Sequence, residues 1–190
     1  MTSVESVEVV PAPLFWITGL AGVGKSTLAE AVVVELRRRG HKPLLLDGDT
    51  VRDALESADD AQVHHAAVRL RRAWRIAKLS RMATLQGVPV VVATISLFHP
   101  VHAWNRDGRN PYIEVFLDAA IESLRRRRPV LYGDNAQPAS QNVVGIDIPP
   151  EFPRNPDLTI AQDFDRARLP VHVARVLAIW ADANLSAATR

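Results

Sequence analysis

Residues 15–27, FWITGLAGVGKST, constrain the fold more than any other part of the chain. The apolar residues Phe15, Trp16 and Ile17 predict a short buried strand, and the lysine and hydroxyl residues at the end predict the first turn of a helix. The glycines between them permit backbone angles that let successive N–H groups converge on one anion, and the helix N-terminus adds partial positive charge. The segment matches G-x-x-x-x-G-K-[ST] completely, which predicts a polyphosphate-binding loop (P-loop) between a strand and a helix.

The predicted ligand of this loop is ATP with Mg²⁺. Lys25 is expected to reach the β- and γ-phosphates, and the Ser26 hydroxyl is expected to ligate Mg²⁺, a hard cation that prefers oxygen. A chance glycine-rich turn is the alternative, but the flanking sequence indicates both the strand and the helix that the motif requires. The residues predicted to bind ATP in this segment are Gly19, Ala21, Gly22, Val23, Gly24, Lys25, Ser26 and Thr27.

The composition indicates one ordinary globular domain. The chain has 190 residues, of which 47% are hydrophobic, and we expect a single domain over residues 14–190 after a flexible tail over residues 1–13. A net charge of +2 gives no electrostatic argument for binding nucleic acid or an anionic membrane. The absence of cysteine excludes disulfides and thiolate metal sites. With neither a long apolar run nor an export signal, the protein is expected to be cytoplasmic.

Apolar strand patterns alternate with helical patterns along the rest of the chain. After the P-loop, short apolar runs at residues 44–46, 88–96, 112–118 and 157–160 predict four more strands, separated by amphipathic stretches. This alternation predicts an α/β fold, a mostly parallel sheet flanked by helices, of the P-loop kinase type. The segment of about residues 125–150 is long for a connection, so we expect it to form a lid over the active site.

Two carboxylates, Asp47 and Asp49, follow the second predicted strand directly. In an open α/β sheet, ligands bind at the carboxyl ends of the strands, so both are candidate catalytic residues. Either one is expected to hold Mg²⁺ through water or to accept the proton of an acceptor hydroxyl, and the pattern leaves open which does which. The alternative is a turn-forming Asp-Gly pair. Arg52, one helical turn later, is a candidate for binding an acceptor phosphate, or else a lone surface arginine.

Arginine rows supply further candidate cations. Arg69, Arg72 and Arg75 recur every three residues on a predicted long helix, where a solvated face is the alternative to a phosphate contact. The run RRRR at residues 125–128 opens the predicted lid, and one or two of its members, with Arg126 assigned to ATP, are expected to act on the phosphates. The histidines lack the neighbours of a metal site.

At this point the sequence resembles the adenylyl-sulfate (APS) kinase family. The resemblance lies in FWITGLAGVGKSTLA, LLLDGDTVR, ATIS, LY, GID and PRNPDLTI, in that order, over roughly residues 15–160. It implies a P-loop kinase, usually a homodimer, that uses MgATP to phosphorylate the 3′-hydroxyl of APS. It also implies that Asp49 is a candidate base or metal-water partner, that Arg52 contacts the acceptor phosphate, and that Ile95 and Ser96 form part of the acceptor wall.

The sequence departs from the family pattern in three places. The family's G-F-S-x-x-D-R segment is replaced by ESADDAQVHHA, and the aromatic residue of F-T-G-I-D is replaced in VVGID at residues 143–147. Losing both rings removes an adenine sandwich in which stacking is worth about 1–3 kcal/mol per base. The lid motif R-D-x-K-G-L-Y reads RRRPVLY at residues 126–132, without its aspartate and lysine.

The segments ATISLF, WNR, YIEVFL and NVVGID are similar to a divergent branch of the family that includes cytidine diphosphoramidate kinases. The hypothesis is therefore a kinase with preserved phosphoryl-donor machinery and an altered acceptor pocket. APS is the default acceptor, and a different nucleotide such as cytidine diphosphoramidate is the alternative. The candidate acceptor-binding residues are Arg52, Arg72, Arg75, Ile95, Ser96, Asn105, Arg106, Val144, Gly145 and Ile146, and Tyr112 either joins them or packs at a strand start.

Two rivals remain from the sequence. One is a nucleotide-binding switch that hydrolyses ATP slowly and signals to a partner protein. The other is an inactive kinase, suggested by Pro129 in the predicted lid. The intact Gly-Lys-Ser and Asp-Gly-Asp sequences argue against the second, and acceptor-stimulated ADP release would separate an active kinase from a switch.

Overall fold

The computed structural model describes residues 9–55, 66–132 and 143–188. In this part of the chain, one sheet of five parallel strands has the order β2-β3-β1-β4-β5. The α/β fold predicted from the sequence is confirmed. The strands are β1 (Leu14–Gly19), β2 (Leu44–Asp47), β3 (Val90–Ala93), β4 (Tyr112–Asp118) and β5 (Leu158–Ala161).

Helices connect the strands and cover both faces of the sheet, as right-handed crossovers between parallel strands require. They are α1 (Lys25–Arg38), α2 (Gly48–Leu55), α3 (Ala66–Thr84), α4 (His99–Asn105), α5 (Ile121–Arg127), α6 (Pro129–Tyr132) and α7 (Leu169–Ala188), with a 3₁₀ turn at Arg166–Arg168. None of the helices in the described residues is long and apolar enough to cross a membrane.

Alternation along β1 divides the core into two layers. Phe15 and Ile17 pack on one face of the sheet with α1 and α7, whereas Leu14 and Trp16 pack on the other face with α3. Every residue of β1 is buried, because the strand lies in the middle of the sheet between β3 and β4. The loop that follows β1 therefore opens at the centre of the sheet's carboxyl edge, where ligands bind in folds of this kind.

The segment before β1 is more ordered than a loose tail to Pro13 would be. The Ala12 N–H donates to Thr84 O at 2.8 Å, and Pro13 O accepts from Val90 N at 3.0 Å. Both Ala12 and Pro13 are buried. The ordered structure thus begins before β1, and only residues 1–8 of the expected tail lie outside the described residues.

The predicted lid is described in part. Helices α5 and α6 form its beginning, residues 143–150 form its end, and residues 133–142 lie outside the described residues. Tyr132, the last residue of α6, is buried, and its hydroxyl donates to Ala21 O in the P-loop at 3.0 Å. The start of the predicted lid segment is thus attached directly to the P-loop.

Candidate active site

The P-loop has the backbone that its glycines predict. At Gly19, φ is 145°, and a Cβ there would lie 2.5 Å from Leu117 O on β4, so only glycine lets the two strands stay paired. Gly24 has φ 101° and precedes α1 without any side-chain cap. The first N–H groups of α1 consequently point into the loop without a capping side chain, and the helix dipole adds partial positive charge there.

Lys25 is folded back over this loop. Its Nζ donates to Leu20 O at 2.8 Å, which holds the ammonium group beside the cradle of N–H groups. Burial lowers the pKa of Lys25 to about 8, although the nearby Asp47 and Asp49 carboxylates favour the charged form. A bound polyphosphate would favour the charged form further, so the amine would stay protonated to a higher pH when phosphates bind.

Ser26 and Asp47 place two hard oxygen ligands for a metal ion next to Lys25. The Ser26 hydroxyl donates to Asp47 Oδ2 at 2.6 Å, and Asp47 Oδ1 accepts from Asp49 N at 3.0 Å. Mg²⁺ fits this donor set, since it is bound in such sites by one or two protein oxygens together with phosphate oxygens and water. The described residues contain no cluster of three or more His, Cys, Asp or Glu side chains that would indicate a different kind of metal site.

Asp49 and Arg52 lie one turn apart on α2 and have a different environment from Asp47. The Asp49 side chain is 82% exposed, and its Oδ1 accepts from Arg52 Nη1 at 2.9 Å. This exposed carboxylate is accessible to a substrate hydroxyl, whereas both oxygens of Asp47 are engaged by Ser26 and by the α2 backbone. The structure thus separates the two aspartates that the sequence left equivalent.

One cleft of about 740 Å³ brings these groups together. Its first part, which we call the P-loop half, comprises Ala21, Gly22, residues 24–27, Arg127, Arg128 and Leu131. Its second part, which we call the arginine half, comprises Asp49, Arg52, Arg69, Arg72, residues 94–98, Val144, Ile148, Pro149 and Glu151. Asp47 and Gly48 lie where the two halves meet, at the carboxyl end of β2.

Most of the predicted site residues line this cleft. In the P-loop they are Ala21, Gly22, Gly24, Lys25, Ser26 and Thr27, and beyond it they are Asp47, Asp49, Arg52, Arg72, Ile95, Ser96 and Val144. Gly19 and Val23 support the loop from beneath, because Gly19 ends β1 and Val23 is fully buried in the core.

Six predicted residues lie elsewhere. Arg75 borders a small neighbouring pocket, Gly145 packs against Leu20, and Ile146 is 46% exposed on the surface. None of these three is among the lining residues of the cleft, although Arg72 on the same helix as Arg75, and Val144 beside Gly145, do line it.

The assignments of Asn105, Arg106 and Arg126 to substrates are corrected by their observed contacts. Asn105 is buried at the end of α4 with 1% exposure, and Arg106 binds Asp157 and Glu114 away from the cleft. Arg126 donates to Ser123 on the exposed side of α5. Its neighbours Arg127 and Arg128 line the cleft instead, because consecutive residues of a helix point about 100° apart.

Arg128 lies directly over the P-loop. A Cβ at Gly22, where φ is 78°, would be 2.9 Å from Arg128 Cγ, so the arginine side chain crosses the loop at close range. Arg127 rests on the ring of Phe164, with 4.2 Å between its guanidinium carbon and the ring centroid. The arginine run therefore contributes to the cleft through its last two members, which the sequence pattern alone did not distinguish from the first two.

Sequence reasoning also missed Phe98 and Glu151, which line the arginine half. Phe98 follows β3 by a few residues, so its position at the carboxyl edge of the sheet was the available signal. Glu151 had no comparable signal, because its place depends on a contact between distant segments, in which Glu151 Oε2 accepts from His99 N at 2.6 Å.

The parallel sheet, the P-loop after its central strand and the Lys25-Ser26-Asp47 arrangement define a nucleotide-binding P-loop kinase, a phosphotransferase. The chain belongs to the adenylylsulphate kinase family, whose model matches residues 12–161. Phosphoryl transfer is therefore the chemistry of this class of site, and the resemblance seen in the sequence is confirmed.

Individual relatives are similar over most of their length. An adenylyl-sulfate kinase of Marinobacter nauticus is 38% identical over 154 residues, which cover 77% of this chain and 74% of that protein. A cytidine diphosphoramidate kinase of Campylobacter jejuni is 34% identical over 137 residues, which cover 71% and 78%. The APS kinase CysC of Mycobacterium tuberculosis, in complex with AMPPNP and APS, superposes with a TM-score of 0.76 at 29% identity, covering 89% of this chain and 99% of that one.

Proposed function

We propose that the protein transfers the γ-phosphate of ATP to a hydroxyl group of a small, anionic, nucleotide-like acceptor, with APS as the family default. The observation that carries this proposal is the Ser26–Asp47 contact of 2.6 Å beside Lys25, opposite a half-cleft lined by Arg52, Arg69 and Arg72. The first arrangement suits a metal-bound polyphosphate, and the second suits a separate anion.

In the proposed reaction the P-loop N–H groups, Lys25 and Arg128 hold the phosphates of ATP. Ser26 and Asp47 would hold Mg²⁺, which when bound would neutralise charge on the transferring phosphoryl oxygens. Asp49 orients the acceptor hydroxyl and takes its proton. The hydroxyl oxygen forms a bond to the γ-phosphorus as the bond from that phosphorus to the β–γ bridging oxygen breaks, leaving ADP. Catalysis comes mainly from positioning and charge stabilisation.

Cytidine diphosphoramidate is a second candidate acceptor. Val144 is the residue of the VVGID segment that lines the cleft. It favours this acceptor because it has no ring that could stack on adenine. Phe98 is the one aromatic side chain among the described residues of the arginine half. The similarity to the Campylobacter jejuni enzyme supports the same choice.

The test is ADP release from MgATP by purified protein, with APS, cytidine diphosphoramidate and a small panel of other nucleotides at equal concentration. Selective turnover of APS would establish the default, and selective turnover of cytidine diphosphoramidate would establish the second candidate. Slow ADP release that no acceptor stimulates would contradict the proposal and favour a regulatory ATP-binding switch.

A homodimer in the cytoplasm is the proposed working form, and it is supported by the family resemblance alone. Sedimentation equilibrium over a range of protein concentrations tests the dimer. A monomer at micromolar concentration would rule it out.

A further inference from the structure

A buried ionic network lies beneath the arginine half of the cleft. His102 on α4 and Glu114 on β4 have side chains only 7% and 3% exposed, and His102 Nδ1 lies 2.7 Å from Glu114 Oε1. On the other side of the ring, His102 Nε2 lies 2.7 Å from Ser96 O. Ser96 lines the cleft, whereas neither His102 nor Glu114 is among its lining residues. The His102 ring thus joins Ser96, which lines the cleft, to Glu114 on β4.

The partners of His102 fix the orientation of its ring. A carbonyl oxygen can only accept, so Nε2 carries a proton that it donates to Ser96 O. The other ring nitrogen, Nδ1, faces Glu114 Oε1. Burial by itself would raise the pKa of Glu114, but His102 and Arg106 outweigh burial and hold that pKa below its usual range. Glu114 is therefore held in its carboxylate form.

Arg106 extends this pair to the segment that precedes β5. It donates to Glu114 Oε2 at 3.0 Å and to both carboxylate oxygens of Asp157, at 3.1 and 3.0 Å. It also donates to Asn155 O at 3.2 Å, and Asp157 Oδ2 accepts from Glu114 N at 2.7 Å. The buried carboxylate of Glu114 at the centre of this network thus contacts His102 of α4 and Arg106, the residue just after α4.

Helix α4 also holds the other wall of the arginine half, through His99 at its start. The backbone N–H of His99 donates to Glu151 Oε2 at 2.6 Å, and its ring Nε2 lies 2.9 Å from Phe152 O. Residues 94–98 line the cleft, as do Ile148, Pro149 and Glu151. The His99–Glu151 contact joins segments that are 52 positions apart in sequence. Helix α4 is the element that contacts both.

We propose that His102 and Glu114 are positioning residues, which set the spacing of residues 94–98 and 148–151 and thereby the affinity for the acceptor, without touching either substrate. This inference rests on the proposed function only in assigning the acceptor to the arginine half. The P-loop half has its own supports, Leu20 O for Lys25 and Ala21 O for Tyr132, so we expect ATP affinity to respond little to changes in the network.

The first test compares Glu114→Ala, Glu114→Gln and His102→Gln with the wild type in steady-state kinetics. We expect the acceptor KM to rise about tenfold in Glu114→Ala, since a small misplacement of positioning groups is costly, while the ATP KM stays within about twofold. The rise should be smaller in Glu114→Gln, which keeps a polar group facing His102, and in His102→Gln, whose amide can still donate to Ser96 O.

Val176→Ala is the matched control. Val176 is fully buried on α7, in the core layer shared with α1, and belongs to neither the network nor the cleft. Truncating it should therefore lower the melting temperature and leave the network intact. It should leave both KM values unchanged. Two results in Glu114→Ala would overturn the proposal. They are equal rises of the acceptor KM and the ATP KM, or an unchanged acceptor KM with a lower melting temperature. Either one would mean that the network only stabilises the fold.

The second test does not depend on turnover. Amide hydrogen exchange of Glu114→Ala is expected to accelerate at residues 94–98 and at Ile148 and Glu151, since Pro149 and Pro150 have no amide hydrogen. It is expected to stay unchanged at residues 20–27, relative to the wild type and to Val176→Ala. Uniform acceleration, or none, would contradict the positioning role. If the wild type turned over no acceptor, the proposed function would fail, while hydrogen exchange would still decide whether the network holds the two walls.

Discussion

The two halves of the cleft are built in different ways. The P-loop half is formed mainly by a short continuous stretch, Ala21, Gly22 and residues 24–27, whose backbone N–H groups and Lys25 are the proposed phosphate contacts. The arginine half is assembled from α2, α3, residues 94–98 and residues 144–151, and side chains supply nearly all of its chemistry. A site built from local backbone is fixed by its motif, whereas a site assembled from distant side chains changes with each segment.

The departures of the sequence from its family fall on both halves. The P-loop and the Asp-Gly-Asp element are intact. The VVGID segment contributes Val144 to the arginine half, RRRPVLY contributes Arg127, Arg128 and Leu131 to the P-loop half, and residues 56–65 of ESADDAQVHHA lie outside the described residues. Because the P-loop half consists mainly of one continuous segment, we expect that the acceptor pocket can change while phosphate binding persists. The following predictions test that independence, beginning with the largest effect.

Lys25→Ala should inactivate the P-loop half. We expect turnover to fall at least about 1,000-fold, because the variant loses a preorganised cation at the transferring phosphoryl group. The fold should survive, since burial lowers the pKa of Lys25 and its charge is therefore costly in the free protein. ADP release and thermal melting measure the two effects, with the exposed Lys42→Ala as the control. Retained turnover would refute the kinase assignment.

Asp49→Asn should act where the arginine half meets the reacting hydroxyl. We expect kcat to fall about 100-fold, as for loss of a general base, with little change in ATP affinity. The matched control is Asp53→Asn, because Asp53 is also exposed and also pairs with Arg52, at 3.4 Å. If both variants lost the same activity, the effect would come from Arg52 and not from proton transfer.

The pH dependence of ATP binding should follow Lys25. Below about pH 8 the amine is protonated in both the free and the bound protein, so affinity should be level. Above that pH the free amine loses its proton while bound phosphates retain it, and we expect the Kd for MgATP to rise about tenfold per pH unit. Titration calorimetry in buffers of different ionisation enthalpy should show proton uptake. Lys25→Arg should abolish both signals, and their persistence in that variant would exclude Lys25.

Val144→Phe should increase the preference of the arginine half for an acceptor with an adenine base. A ring at this position can stack on a base, so we expect the KM for APS to fall about tenfold relative to that for cytidine diphosphoramidate. Val171→Phe, on an exposed face of α7, is the control for added bulk. An unchanged preference would mean that Val144 does not face the base of the acceptor.

Arg128→Ala and Arg126→Ala should separate two neighbours in the arginine run. Arg128 crosses the P-loop at Gly22, so we expect its loss to weaken ATP binding about fivefold. Arg126 contacts Ser123 on the exposed face of α5, and its loss should have no measurable effect. Equal weakening in both variants would indicate a general electrostatic effect of the run.

The sequence predicted the parts of the molecule that depend on local chemistry. The P-loop, the strand before it and the carboxylates after β2 follow from consecutive residues, and the structure brings Lys25, Ser26 and Asp47 together as expected. The alternation of strands and helices likewise predicted the parallel sheet. In each case a periodicity or motif of a few residues contains the information.

The errors concern residues whose place is decided by distant partners. Arg106 was assigned to the acceptor, but it binds Asp157, which is 51 positions away, because the buried carboxylate of Glu114 lies between them. No local pattern shows that Glu114 is buried. The choice of Arg128 over Arg126 had the same cause, since it depends on the approach of Arg128 to Gly22, which is more than a hundred positions away in sequence.

The order of the strands also has a consequence for synthesis of the chain. Trp16 on β1 pairs with Val92 on β3 and with Glu114 on β4, so neither neighbour of the central strand exists when that strand is made. At roughly 5–20 residues per second, translation must continue for several seconds before both neighbours are available. During that time the apolar residues Phe15, Trp16 and Ile17 have no sheet to enter. Although one short run of sequence forms the P-loop, we therefore expect it to acquire its shape late. Until then its folding depends on the nascent chain being kept from aggregating.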